Sequence, residues 1–469
     1  MSPRLKLRDI AFFERPVHFA RPFRFGAVTV DATPQLFVRV EIEVEGKTTN
    51  KGIAVGASAE MMVPKWFDKR PELSPAQTVD ELRRSLAIAR GLYLAETGFR
   101  PAFGLHASCV GAQVKACAEE NIPSLAAVFG PAEIDKAILD ALLRAVGASF
   151  FEGMADNIAG VDGRMSLDLT GAGITSFLKE RAPLPRVAIR HTVGLDDQIE
   201  GEGGVADARQ NAGARYFKLK LSGDPEADAA RLARIGKELG TLKRDYKVSL
   251  DANEQYADLA ALRSLIDRLD RDATLGPISA RLLYIEQPMP RDITWETALG
   301  SLAERAFIID EADDSYDAIL KMRSLGYRGI SSKSCKGLYK SILNATRAAQ
   351  WTTGAETFFI TGEDLTCQAG LGVQQDLALG AFLGVTHAER NGHHYVDGFG
   401  DAPVAEAAAF AAAHPDLYAD AGQGIRLNIH DGDLLTGSLN TVGFATSVHP
   451  DWSALRPLEQ PKSLQEYLA

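Results

Sequence analysis

The sequence is short of cysteine. Its four cysteines, Cys109, Cys117, Cys335 and Cys367, include no C-x-x-C pair. That spacing excludes a disulfide framework or a thiolate zinc finger, and we expect a reduced, cytoplasmic chain. Long apolar runs are missing too: nothing approaches a membrane-spanning length, and Met1 to Ile10 lacks the apolar core of a secretory leader. Basic charge is in deficit, with 51 Lys and Arg against 62 Asp and Glu for a formal charge of -11. Neither nucleic acid nor an anionic membrane is drawn to such a surface, although local lysines can still hold a small anion. What remains is a globular balance, 46% hydrophobic and 24% charged over 469 residues, enough for two or three domains.

The first part reads as α+β over residues 1–160. Pro34 to Val44 alternates apolar and polar, Glu45-Gly46 marks a turn, and Gly52 to Gly56 is the returning strand. Ser74-Pro75 then opens a helical region, and Ala137 to Val146 ends on Gly147. We expect a three-stranded antiparallel sheet backed by helices. From 185 to 400 eight short apolar runs alternate with helix-sized gaps: Val187–Thr192, Tyr216–Leu221, Val248–Asp251, Leu282–Glu286, Phe307–Asp310, Gly329–Ser332, Thr357–Thr361 and Gly384–Glu389. That pattern predicts a closed (β/α)8-type barrel. A doubly wound sheet would carry a glycine-rich phosphate loop after its first strand, and none follows Val187–Thr192. Residues 401–469 read as a C-terminal extension that packs back on the rest.

Tyr216-Phe217-Lys218-Leu219-Lys220-Leu221 puts two lysines on one strand face. Alone it could be a solvated edge; inside a barrel, repulsion and burial would push a lysine pKa down towards that of a working base. Barrel chemistry sits at C-terminal strand ends. Those ends carry Asp251 and Asn253, Glu286, Asp310 and Glu311, then Lys333. One aspartate there could simply cap a helix. Three carboxylates on successive strands need a cation, and hard oxygen donors suit Mg²⁺. Lys220 and Lys333 would then flank it from opposite sides.

The K-x-K of Lys218 and Lys220, the D-x-N of Asp251 and Asn253, the I-E-Q-P of Ile285 to Pro288, the D-E of Asp310 and Glu311 and the lysine Lys333 resemble, in order and spacing, the enolase superfamily and its muconate-lactonizing-enzyme subgroup. The likeness extends over about residues 5–435, with Arg21 to Val30 similar to that family's substrate-covering loop. It implies a barrel with an N-terminal cap, and Asp251, Glu286 and Asp310 on Mg²⁺. Lys220 and Lys333 would be the acid/base pair, and Lys218 would touch the substrate carboxylate or tune Lys220. Asn253 and Glu311 would support the metal ligands. Glu363, or Asp364 beside it, and Glu389 would contact the substrate. The subgroup's Gly-Gly after the strand-six lysine is replaced by Ser334-Cys335-Lys336-Gly337, which makes Lys336 a rival to Lys333.

The expected activity is removal of a proton α to a carboxylate through a stabilised enediolate. The outcome would be racemisation, epimerisation or cycloisomerisation, with β-elimination or a non-catalytic metal- or anion-binding barrel as alternatives. The partner would be a small carboxylate, and we expect a homo-oligomer. His387, His393 and His394 lack the i, i+4 spacing of a helical metal site, and Cys335 has no neighbouring histidine to activate it. Phe23, Phe25, Met61, Met62 and Trp66 hint at apolar contact with a ligand or at simple packing.

Overall fold

The computed structural model describes residues 2–26, 28–46, 53–363, 368–389, 395–420, 422 and 424–458. The first three strands, β1 (Leu5–Phe25), β2 (Val28–Val44) and β3 (Ile53–Met61), form an antiparallel sheet. Their alternating burial puts Leu36, Val38, Val40 and Ile42 against helices. Those helices are α1 (Pro75–Ala95), α2 (Ala102–Glu119) and α3 (Phe129–Val146). A capping box of Ser74 and Gln77 starts α1, and left-handed Gly147 ends α3. Strand β3 runs so close to α3 that a Cβ on Gly56 would meet the Ala137 carbonyl at 2.1 Å.

Eight parallel strands follow: β4 (Arg186–Val193), β5 (Tyr216–Lys220), β6 (Lys247–Asp251), β7 (Leu282–Glu286), β8 (Phe307–Ile309), β9 (Gly329–Ser332), β10 (Phe359–Gly362) and β11 (His387–Glu389). Each pairs with the next, and β11 returns to β4, closing the barrel. The chain is a (β/α)8-type barrel with an N-terminal α+β cap. Outward Phe217, Leu219, Val248 and Leu250 are fully buried under surrounding helices such as α4 (Pro225–Leu239) and α5 (Leu259–Arg271).

Two short late strands carried no sequence signal. Asp433–Leu435 pairs antiparallel with β4, and Arg456–Pro457 adds to β1, so the first sheet has four strands rather than the expected three. At two or three residues, neither is long enough to show a period. The Arg21 to Val30 segment also differs from an open loop. Apart from Ala27, which lies outside the described residues, it forms the tip of a β1–β2 hairpin turning at Gly26 (φ 52°). Main-chain pairing reaches across from that tip to the barrel, where Ala20 N donates to Tyr395 O at 2.6 Å. Among the described residues no helix is long and apolar enough to cross a membrane.

Candidate active site

Parallel register fixes the core of the site. Lys220 stands opposite Asp251, and Asp251 opposite Glu286, so three strands deliver their last residues at one level. Period two then turns Lys218 inward one layer deeper, opposite Thr192. The following loops are strained: Asn253, Glu254 and Gln287 hold φ of 45°, 72° and 35°. Gln287 is an organiser whose part was not readable from the I-E-Q-P motif. Its Oε1 accepts from both Asp310 N and Ala312 N at 3.0 Å, while its Nε2 donates to Met289 O. It thereby positions the Asp310 turn.

The lysines and carboxylates interlock. Lys218 Nζ lies 3.0 Å from Asp251 and Glu286, 2.7 Å from Glu363 and 3.1 Å from Glu389. Lys220 Nζ donates to Asp251 Oδ2 at 2.5 Å and Asn253 Oδ1 at 2.8 Å. Lys333 Nζ donates to Asp310 Oδ2 at 2.7 Å. Lys336 Nζ bonds Ser331 Oγ at 2.7 Å and lies 3.0 Å from Asp313 and 3.3 Å from Asp310.

These contacts correct one expectation. Burial opposes the charge of Lys218, but Asp251, Glu286, Glu363 and Glu389 outweigh it and raise its pKa well above normal. Lys333 is raised as well, burial being overcome chiefly by Asp310. Repulsion between neighbouring lysines therefore does not dominate in this arrangement. Burial likewise opposes the Asp251 carboxylate, yet Lys218 and Lys220 hold its pKa below the ordinary value. Glu286 goes the other way, pushed well up by burial and by Asp251 and Glu363.

Among the described residues no three His, Cys, Asp or Glu side chains are grouped to close on a metal ion. Asp251 and Asp310 are taken up by lysines. The donor chemistry nevertheless fits a hard cation. The three carboxylates are buried, and both oxygens of Glu286 share one cation, Lys218, at 3.0 and 3.1 Å. Three carboxylates at adjacent strand ends are the hard oxygen donors that such an ion takes.

A cavity opens above this layer. From the cap it is lined by Phe19, Phe23, Phe25, Val30, Val63 and Trp66. From the barrel it is lined by Lys218, Lys220, Asn253, Lys333 and Glu389. The ammonium groups of Lys220 and Lys333 lie 5.8 Å and 4.1 Å from the ring centroids of Phe23 and Trp66. Lys336 does not line this cavity, and neither does Glu363, which is enclosed by Arg190, Lys218 and Tyr284. Met61 and Met62 are packed in the core. Glu389 accepts from Thr192 and is held ionised against burial by Lys218, Lys220 and Lys333. His387 accepts from Arg190 at 2.7 Å and stacks on Tyr216. Cys335 is buried, its thiol pushed well up by burial. Asp364, Cys367, His393 and His394 lie outside the described residues.

Phe19, Val63, Lys69 and Arg190 were not singled out from sequence. Lys69 Nζ reaches from the cap to Glu311 and Glu254 at 2.7 Å and to Asn253 O at 3.0 Å. Arg190 is fully buried and paired with Glu363.

The chain aligns over 97% of its length with muconate lactonizing enzyme from Mucobacterium Smegmatis complexed with muconolactone, covering 100% of that chain at 17% identity and a TM-score of 0.60. A member of the enolase superfamily from Roseovarius nubinhibens, complexed with magnesium, superposes with a TM-score of 0.57 at 17% identity over 98% of this chain and 99% of that one. This chain shares the fold of both proteins. A mandelate racemase/muconate lactonizing protein from Herpetosiphon aurantiacus matches at a TM-score of 0.58 and 15% identity, over 95% and 99% of the two chains. No family model matches the sequence. L-Lys-D/L-Arg epimerase of Methylococcus capsulatus is 33% identical over 141 residues, which are 29% of this chain and 36% of that enzyme.

Proposed function

We propose that the chain is an isomerase that removes and returns a proton α to the carboxylate of a small molecule. One observation carries this reading: Lys220 and Lys333 line a single cavity from either side of the strands that bear Asp251, Glu286 and Asp310. Asp251, Glu286 and Asp310 would hold Mg²⁺, with Asn253 and Glu311 behind them. When bound, the ion supplies positive charge against the negative charge that builds on the substrate carboxylate as the proton leaves. Lys220 would take the proton from one face of the α-carbon and Lys333 would deliver one to the other. Lys218 would orient the carboxylate, with Glu389 beside it. Both the magnesium complex of the Roseovarius nubinhibens protein and the epimerase activity named for the Methylococcus capsulatus relative support this reading.

Racemisation or epimerisation uses both lysines; cycloisomerisation or β-elimination needs only one as base. The test is exchange of the α-proton with solvent deuterium across N-acyl amino acids, dipeptides and sugar acids with Mg²⁺ present. Lys220→Ala and Lys333→Ala should each lower exchange by at least about 100-fold while calorimetry still finds Mg²⁺ binding. Unchanged exchange in both variants would overturn the assignment.

A further inference from the structure

The cavity is chemically divided. Its barrel end presents the ammonium groups of Lys218, Lys220 and Lys333. Every described residue that the cap contributes is apolar: Phe19, Phe23, Phe25, Val30, Val63 and Trp66. Among the described lining residues Glu389 is the one carboxylate, and it is engaged by Lys218 and Thr192. Among the described residues, a cationic group entering the cap end would meet no acid. It would also face three lysines across the cavity. Cation–π attraction could compensate, but the Phe23 and Trp66 rings are already occupied by Lys220 and Lys333.

We propose that this cavity selects carboxylates whose remaining body is apolar or aromatic and rejects those with a cationic side chain. This rests on the proposed function only in placing the carboxylate at the lysine end. It separates the chain from the relative named for Lys- and Arg-containing substrates. An apolar body gains its full transfer free energy against the six cap side chains, whereas an ammonium or guanidinium loses its hydration without a partner.

The test needs no turnover. The full chain, in buffer with Mg²⁺, is titrated calorimetrically with 4-phenylbutanoate and with 6-aminohexanoate, carboxylates of similar length with opposite tails. The aryl acid should bind at least about tenfold tighter, because an unpaired buried charge costs several kcal/mol. Equal affinity, tighter binding of the amino acid, or no binding of either would overturn the proposal. The variant Val63→Glu puts an acid at the cap end and should reverse the preference; an unchanged preference in the folded variant would also overturn the proposal. If the aryl acid binds as expected but no substrate exchanges its α-proton, the proton-transfer reading fails and the ligand class stands.

Discussion

Lys333 Nζ stands 4.1 Å from the centroid of the Trp66 ring, so a side chain of the cap roofs a cation of the barrel. Replacing Trp66 with leucine removes this face and part of the apolar wall. A cation–π contact of this kind contributes about 0.5–2 kcal/mol, which corresponds to roughly a 2- to 30-fold rise in KM. Because Trp66 lines the cavity wall, the ring would contact bound and reacting substrate alike, and kcat should change much less. Steady-state exchange kinetics read both values; a fall in kcat alone would contradict this role.

Lys69 joins the cap to Lys220 through a chain of contacts. It bonds Glu311, Asn253 Nδ2 donates to the same Glu311 oxygen at 3.2 Å, and Asn253 Oδ1 accepts from Lys220. Lys69→Met should loosen this chain and slow exchange by about tenfold, a typical penalty for misplacing a reacting group. Lys69→Arg should recover most of the rate. Rates within twofold of the parent for Lys69→Met would show that the chain does not position Lys220.

Arg190 and Glu363 are both fully buried and paired inside the barrel. Removing one member of such a pair leaves the other's charge in low dielectric. Arg190→Met is therefore expected to cost about 3–5 kcal/mol of stability, part of which the double variant with Glu363→Gln recovers. Urea unfolding measures both. Equal stability of the single and double variants would refute the coupling.

At the cap, Glu60 is pushed up to about 8, by burial above all, opposed by Lys136 and reinforced by Glu133 and Asp376. The folded chain thus keeps a proton that the unfolded chain, titrating near 4.5, has lost. With more protons on the native state, stability falls as pH rises from 4.5 to about 8. Glu60→Gln removes that dependence, so the variant should gain on the parent by several kcal/mol, up to about 5, between pH 4 and pH 9. Unfolding midpoints at the two pH values decide it; a constant difference would exclude Glu60 as the titrating group.

The eight strand segments and the residues at their ends were legible in the sequence, because β periodicity and helix-sized gaps are local signals. So was the shared face of Lys218 and Lys220, which needs only alternation along one strand. The level at which Lys220, Asp251 and Glu286 meet was not, since register is set by pairing between strands more than thirty residues apart. The charge balance around Lys218 was hidden for a related reason. Sequence shows the neighbouring lysine two residues away, while the carboxylates that outweigh it arrive from four other strand ends, up to 171 residues distant. Sequence spacing alone left Lys333 and Lys336 as rivals, and the fold puts only Lys333 at the cavity wall, because the turn after β9 sends Lys336 towards Asp313 instead. The cap's contribution came last of all: Phe19, Val63 and Lys69 look like ordinary strand and loop residues until the hairpin and the loop after β3 are laid across the barrel mouth. The sequence by itself determined which chemical groups the barrel could offer; closure of the barrel under its cap decided which of them face one another.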